Sequence, residues 1–376
     1  MLTVNNQGVP SNADKDSKLS VRIANGIADR LNGIMMSHLQ TEGAGNDHDH
    51  YEAVIIGGGQ AGLATAYYLM RAGVQTLILD DQPASGGAWL HVWPSLHLFS
   101  TSDFSNLPGW PMPKFDGFPT SSHVVDYLTE YERRYEIPVS RSVSVDKVDF
   151  VNGAFHLQSG TRSWIAKNVV AATGTWSAPF VPTFPGKFSG THWHSSNYPG
   201  VHPFVGQRIA IVGGANSGAQ IAAELSEVSE VTWFTRDKPR WMPDDVDGRE
   251  LFRRNRLRAL AIQRGECDPG PDSELGDIVM LPEVRRARDS GKLFATPMFG
   301  SLDEIRADHL IWCTGFRPAI RPVRQLLKHG QPKVPGLYLV GYGDWTGPGS
   351  ATITGVGLYA KQAAKEIAAS VGKVVK

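Results

Sequence analysis

Cysteine is scarce: the chain holds two, Cys267 and Cys313, and no C-x-x-C pattern. A disulfide framework and a paired redox thiol are thereby excluded, and the expected compartment is the reducing cytoplasm. An excess of either charge is also lacking. Lys and Arg number 37 and Asp and Glu number 37, so neither nucleic acid nor an anionic membrane is expected as a partner. No apolar run approaches the roughly 18 residues needed to cross a bilayer. Residues 363–376 are too short and too charged for a tail anchor. No basic start leads into an uninterrupted apolar stretch, which argues against a signal peptide. Asp14, Asp16 and Asp29 sit poorly with an organelle transit sequence. No metal is expected: Asp244, Asp245 and Asp247 lack the longer ligand series, ending in a bidentate Glu, that calcium loops use.

What the chain has is length and glycine. Its 376 residues accommodate two domains, each with its own core. Its 40 glycines exceed the usual share of about 7%, and two clusters repeat one pattern. Gly57-Gly58-Gly59-Gln60-Ala61-Gly62 follows the apolar run Ala53 to Ile56, and Gly213-Gly214-Ala215-Asn216-Ser217-Gly218 follows Ile209 to Val212. A strand, a tight glycine turn and a helix N-terminus cradle a dinucleotide pyrophosphate, because backbone N–H groups and the helix dipole favour anions. Twenty-three residues past Gly57 stands Asp80, and 23 past Gly213 stands Arg236. A carboxylate there accepts hydrogen bonds from a free ribose diol, whereas arginine suits a 2′-phosphate. The first site therefore fits FAD or NAD, and the second fits NADPH. Ala215 in the second turn crowds the closest backbone approach to the pyrophosphate, and Asp237 weakens the preference for NADPH over NADH.

From Tyr51 onward short β-branched runs alternate with helical stretches, the sign of a parallel sheet with crossover helices. Strands are expected at 53–56, 76–79, 143–150, 154–157, 168–171, 309–313 and 337–340, and helices at 62–71, 124–135 and 355–370. Residues 86–113, rich in Trp, Pro, Ser and Phe, read as an irregular loop region near a site, and 244–282 resist assignment. Residues 1–50 read as an extension, with a short amphipathic helix at 21–36. It is either dispensable or an arm on the partner of a homodimer.

Residues Phe188 to Pro199 read F-x-G-x-x-x-H-x-x-x-Y-P and lie just before the second glycine turn. This resembles the motif of the class B flavin-dependent monooxygenases. Gly86-Gly87-Ala88-Trp89 resembles that family's GG-x-W element. Ala172-Thr173-Gly174 and Cys313-Thr314-Gly315-Phe316 resemble its two interdomain turns, and Gly341-Tyr342-Gly343-Asp344 its late Gly-Asp element. Segments 93–99 (WPSLHLF), 107–113 (LPGWPMP), 244–249 (DDVDGR) and 341–347 (GYGDWTG) look most like the ArsO-type members, named for arsenic-resistance operons.

The resemblance implies an α/β protein of two Rossmann-like dinucleotide-binding domains, with a discontinuous FAD domain (51–176 and 313–376) and an inserted NADPH domain (177–312). It implies FAD and NADPH as cofactors, with Gly87, Trp89, Thr173, Gly174, Thr314, Gly315, Gly343 and Asp344 joining the two glycine turns as cofactor contacts. NADPH would reduce the flavin. A C4a-(hydro)peroxide formed with O₂ would then oxygenate a small N, S or organoarsenical nucleophile, or a carbonyl. The asparagine that animal members carry near the flavin is absent from Phe99 to Asp103. Stabilisation of the oxygen intermediate would then rest on bound NADP, on backbone, or on Ser102 and Asp103 of this loop, which with His194 of the motif are the candidate catalytic groups. His194 also reads as a structural histidine at the domain hinge. Trp93, Trp110 and Trp345 are candidate pocket walls. The alternatives are a flavoprotein reductase or oxidase without oxygen transfer, and a non-catalytic NADPH sensor.

Overall fold

The computed structural model describes residues 49–270 and 275–375. The helix expected at 21–36 lies outside them. Two mostly parallel sheets organise the described chain. The first half of sheet one is β1 (Asp49–Ile56), helix α1 (Gln60–Arg71), β2 (Thr76–Leu79), helix α2 (Ser121–Arg134) and β3 (Val139–Ser140). An antiparallel meander follows through β4 (Lys147–Val151), β5 (Ala154–Ser159) and the long β6 (Arg162–Ala171). The ten residues of β6 serve two purposes. Residues 162–166 pair with β5 on one side, and residues 164–171 run parallel to β1 on the other, which joins the meander to the main sheet.

The chain then leaves to build sheet two. It consists of β7 (Thr191–His194), β8 (Arg208–Val212), α3 (Asn216–Leu225), β9 (Glu230–Thr235), α4 (Gly248–Gln263), α5 (Pro282–Asp289), β10 (Ala295–Pro297) and β11 (His309–Trp312). Its strand order is β10-β9-β8-β11-β7, all parallel. A small hairpin, β12 (Leu327–Lys328) and β13 (Gln331–Pro332), precedes the return. Then β14 (Leu337–Leu339) pairs with the end of β6, and α6 (Val356–Ser370) closes the first domain. Sheet one is thus assembled from two stretches of chain, with the strands of sheet two lying between them in sequence.

Small residues explain the packing of α1 on α6. Ala61, Ala64, Ala360, Ala364 and Ala368 are buried in one core with Leu63, Val124 and Tyr131, and side chains of that size let helices approach to the short end of the usual 8–10 Å. A second core gathers Ile209, Ile211, Ala222, Trp233 and Val284 under sheet two. Three expectations need correction. The strand expected at 143–150 begins only at Lys147, because Ser142 takes a positive φ of 55° and turns the chain. Residues 244–282 hold the 16-residue helix α4, whose arginine-rich sequence hides its apolar stripe. Asp247, read only as part of an acid cluster, caps that helix by accepting the Arg249 N–H. Asp244 pairs with Arg288, which holds its carboxyl below the usual range.

Candidate functional site: two dinucleotide cradles and a shared crossing

Strand register sets the first cradle. Ile56 pairs with both Leu79 and Ala171, so the residues that follow each of them, Gly57, Asp80 and Ala172, sit level at the carboxyl edge of the sheet. Open α/β sheets bind their ligands at this edge. Gly57 has φ of 105°, and a Cβ there would lie 2.5 Å from the Ala172 carbonyl oxygen. A Cβ on Gly62 would lie 2.0 Å from the Gly57 carbonyl oxygen. By contrast, the nearest atom to a Cβ on Gly59 is 3.9 Å away. The first and third glycines are therefore required by the protein's own backbone, and the middle one leaves open space for a ligand. Helix α1 starts there with no side-chain cap and no acid in its first turn. In α2 and α4 the caps Thr120 and Asp247 fill that role. An uncapped N-terminus in a glycine cradle has the donor set that a pyrophosphate needs.

Around this cradle the structure gathers several predicted residues. Trp89 Nε1 donates to Gln60 Oε1 at 3.0 Å, and Gln60 Nε2 donates to the Ala351 carbonyl at 2.6 Å. Gln60 thus braces the GG-x-W turn against the segment leading into α6. Gly341 packs where a Cβ would lie 2.6 Å from the Ala61 methyl. Gly343 and Asp344 form the short 3-10 turn that follows, with Asp344 exposed. Asp80 is 2% exposed; its Oδ1 accepts the Gly58 N–H at 2.9 Å and its Oδ2 accepts from Arg141. Arg141 escaped the sequence reading because 61 residues separate it from Asp80.

The second cradle repeats the first. Val212 pairs with Phe234 and Trp312, bringing Gly213, Thr235 and Cys313 level. A Cβ on Gly213 would lie 2.2 Å from the Cys313 carbonyl oxygen, and one on Gly218 would lie 2.0 Å from the Gly213 carbonyl oxygen. Helix α3 also starts uncapped, at Ala215. Equal sequence spacing conceals a one-residue offset: Thr235, not Arg236, is the level counterpart of Asp80. Arg236 follows with its side chain 90% exposed beside Asp237. Asn216 spends its amide on the Asp277 carbonyl and the Val279 N–H, fastening the 277–279 segment to α3. Ser217 lies half-buried on the first turn of α3. Trp233 Nε1 satisfies the Gly213 carbonyl at 2.8 Å, a role no sequence motif announced.

The two interdomain turns are zipped together. Pro179 and Phe316 form an antiparallel bridge, and Trp176 stacks on Phe316 with ring centroids 5.0 Å apart. The Ala319 N–H donates to the Gly174 carbonyl at 2.9 Å, and Thr173 Oγ1 donates to the Ala319 carbonyl at 2.8 Å. Thr314 Oγ1 donates to the Phe180 carbonyl. His194 joins this knot from the end of β7, only 6% exposed. The Ser196 N–H donates to its Nδ1 at 3.1 Å, so that nitrogen carries no proton. The other nitrogen, Nε2, then carries the proton and donates to the Gly315 carbonyl at 3.1 Å. Burial lowers the His194 pKa below its ordinary value. The imidazole is neutral and spent at both nitrogens, so it fastens the motif to the crossing.

Of the remaining candidates, Ser102 is buried with its hydroxyl accepting the Phe115 N–H at 3.2 Å, and Asp103 stands exposed beside it. Their loop is fixed by two α2 tyrosines: Tyr127 and Tyr131 donate to the carbonyls of Trp110 and Pro108 at 2.7 and 2.6 Å. The Gly248 N–H at the start of α4 donates to the Phe99 carbonyl at 2.7 Å, tying the inserted domain to the same loop. A cavity of about 1080 Å³ lies between this loop, α4 and the start of α6, with Phe104, Leu107, Phe252, Thr352 and Leu358 among its walls. Trp93, Trp110 and Trp345 do not line it. They pack on Tyr198, Tyr127 and Tyr342 instead.

Two mostly parallel sheets, each with a glycine cradle and joined by a paired crossing, define an oxidoreductase that binds FAD and NADP(H). The comparisons agree. The chain belongs to the pyridine nucleotide-disulphide oxidoreductase family, whose profile matches residues 54–338, and within it groups with the flavin monooxygenases. A flavin-containing monooxygenase from Stenotrophomonas maltophilia is 39% identical, covers 86% of this chain and 99% of its own, and superposes with a TM-score of 0.76. An uncharacterised CzcO-like oxidoreductase from Geobacillus kaustophilus is 29% identical over 84% of this chain and 98% of its own. The indole-3-pyruvate monooxygenase YUCCA6 of Arabidopsis thaliana is 31% identical over 53% of this chain and 51% of its own. Among the described residues no helix is long and apolar enough to cross a membrane.

Proposed function

We propose that this chain is an NADPH-dependent FAD monooxygenase that adds one oxygen atom of O₂ to a small soft nucleophile, nitrogen, sulfur or an organoarsenical, or to a carbonyl. The observation that carries the reading is the pair of uncapped glycine cradles, one beside an acid and the other followed by an arginine, in a chain without a paired thiol. When bound, FAD takes hydride from NADPH and activates O₂. The residues of the chain bind, orient and seal. Gly57 to Gly62 and α1 hold the FAD pyrophosphate, Asp80 receives the adenosine ribose, and Gln60 with Trp89 sets the wall between cradle and loop. Gly213 to Gly218 hold the NADPH pyrophosphate, and Arg236 meets the 2′-phosphate. His194 and the zipped turns keep the domains apposed, which excludes water from the reacting groups.

A disulfide-reductase reading fails on the cysteines. Cys313 is buried in the crossing turn, where burial pushes its thiol up to about 12, and Cys267 is exposed elsewhere. The ArsO-type resemblance supports including organoarsenicals among the substrates tried. The test is incubation of the enzyme with NADPH, ¹⁸O₂ and a panel of amines, sulfides, ketones and trivalent arsenicals. One ¹⁸O per product molecule is expected. If every substrate leaves NADPH oxidation matched by hydrogen peroxide alone, the protein is an oxidase or reductase.

Coenzyme choice gives a second test. Arg236→Ala is expected to raise the apparent KM for NADPH by roughly tenfold, the size of one exposed charge-assisted contact, and to leave that for NADH nearly unchanged. An equal loss with both coenzymes would assign Arg236 to structure alone.

A further inference from the structure

We propose that Arg141 is a positioning residue for FAD: its guanidinium, shared between Asp80 and Glu132, keeps the Asp80 carboxylate ionised and aimed at the adenosine ribose. The inference rests on the FAD reading of the first cradle and goes beyond it, because no motif marks Arg141 and it lies outside the glycine turn.

The geometry is over-determined by the backbone. Just past β3, the Asp80 N–H donates to the Ser140 carbonyl at 3.0 Å, the Val143 N–H donates to the Asp80 carbonyl at 2.8 Å, and the Ser142 N–H donates to the Gln82 carbonyl at 3.1 Å. Arg141 is held between these stitches, so its side chain faces Asp80 in one fixed relation. One arm, Nη1, donates to Asp80 Oδ2, and the other, Nη2, donates to Glu132 Oε2 on α2. Ser85 Oγ donates to the same Glu132 oxygen at 2.9 Å. A carboxylate has about four acceptor sites. Gly58 and Arg141 occupy two of them on Asp80, leaving others for the two ribose hydroxyls.

The charge balance needs the arginine. Asp80 is removed from water, and burial pushes its pKa upward. The charged groups that face it are Asp81 on its own segment, which pushes in the same direction, and Arg141, which opposes both. Glu132 shares the guanidinium from α2. Without Arg141 the carboxyl keeps one backbone donor and takes up a proton more readily. A protonated carboxyl is the weaker acceptor for a ribose hydroxyl. Raising the pH removes that proton again, so an arginine-less site regains FAD affinity with rising pH.

The experiment strips FAD from the purified protein and titrates it back, following flavin fluorescence between about pH 6 and 8.5. Wild type is expected to show a flat Kd. Arg141→Gln is expected to bind roughly tenfold more weakly at the acid end and to recover as pH rises. In an Asp80→Asn background the same change is expected to add little. Arg141→Lys keeps the charge and is expected to stay within about threefold of wild type and pH-flat. It carries the test alone if the glutamine variant does not fold. The proposal is overturned by an Arg141→Gln protein with wild-type affinity, by one equally weak at every pH, by full additivity with Asp80→Asn, or by an Arg141→Lys affinity that climbs with pH. Wild-type apoprotein that takes up no FAD, or Asp80→Asn with wild-type affinity, defeats the ribose assignment itself and the proposal with it.

Discussion

Gly218→Ala is expected to yield a yellow protein that NADPH no longer reduces, whereas Gly62→Ala is expected to yield a colourless one. Each methyl would be built 2.0 Å from a carbonyl oxygen of its own turn, Gly213 in one case and Gly57 in the other. No rotamer relieves such a contact, because Cβ has none. The helix must lift off its strand, and the N–H groups that converge on the pyrophosphate then diverge. Overpacking of this kind typically costs about 1–3 kcal/mol or more, and here it is spent on the anion cradle. The two cradles belong to separate sheets with separate cores. The damage should therefore stay in its own domain. For Gly218→Ala, anaerobic mixing with NADPH should show flavin reduction slowed by at least about a hundredfold, equivalent to roughly 2.7 kcal/mol, while dithionite still bleaches the flavin. A Gly218→Ala protein reduced at the wild-type rate would mean that NADPH does not use this turn.

The same pair of turns shows what was legible in the sequence. Their glycines are demanded by backbone contacts local to strand, turn and helix, so a short pattern reports them. The level counterparts of Gly57 and Gly213 are set by register across the sheet. Spacing along the chain hides an offset between the two: 23 residues separate Gly57 from Asp80 and Gly213 from Arg236, yet Thr235 is the residue that sits level with Gly213. Arg141 and Trp233 were invisible for the same reason. One reaches Asp80 from 61 positions away, and the other fills a carbonyl that only the folded turn exposes. Helix α4 was lost to composition, since ion pairs such as Arg253 and Arg254 with Glu250 cover its face with charge. The aromatic residues drew attention to a pocket, but Trp93, Trp110 and Trp345 are spent on neighbouring tyrosines.

His194→Ala is expected to uncouple the enzyme: NADPH oxidation continues, and hydrogen peroxide replaces oxygenated product. The ring holds the crossing by an accepted bond from Ser196, a donated bond to Gly315 and an edge contact with Phe316 at 5.1 Å. Removing them costs about 1–3 kcal/mol, enough to open the domain interface without unfolding either sheet. Hydride delivery tolerates brief opening, but oxygen chemistry needs water kept out. Acid should mimic the mutation. Burial depresses the folded-state pKa of His194 below 6.5, so the open or unfolded chain binds the proton more tightly. The stabilisation is present above about pH 6.5 and is lost as pH falls toward the folded value. Protonation also turns Nδ1 from the acceptor of the Ser196 N–H into a second donor facing it. The fraction of NADPH lost to peroxide should therefore rise in wild type below about pH 6.5 and stay high and flat in His194→Ala. The measurement is peroxide against NADPH consumed, with a substrate present, across that range. An alanine variant as tightly coupled as wild type would remove His194 from the closure and leave it a packing residue.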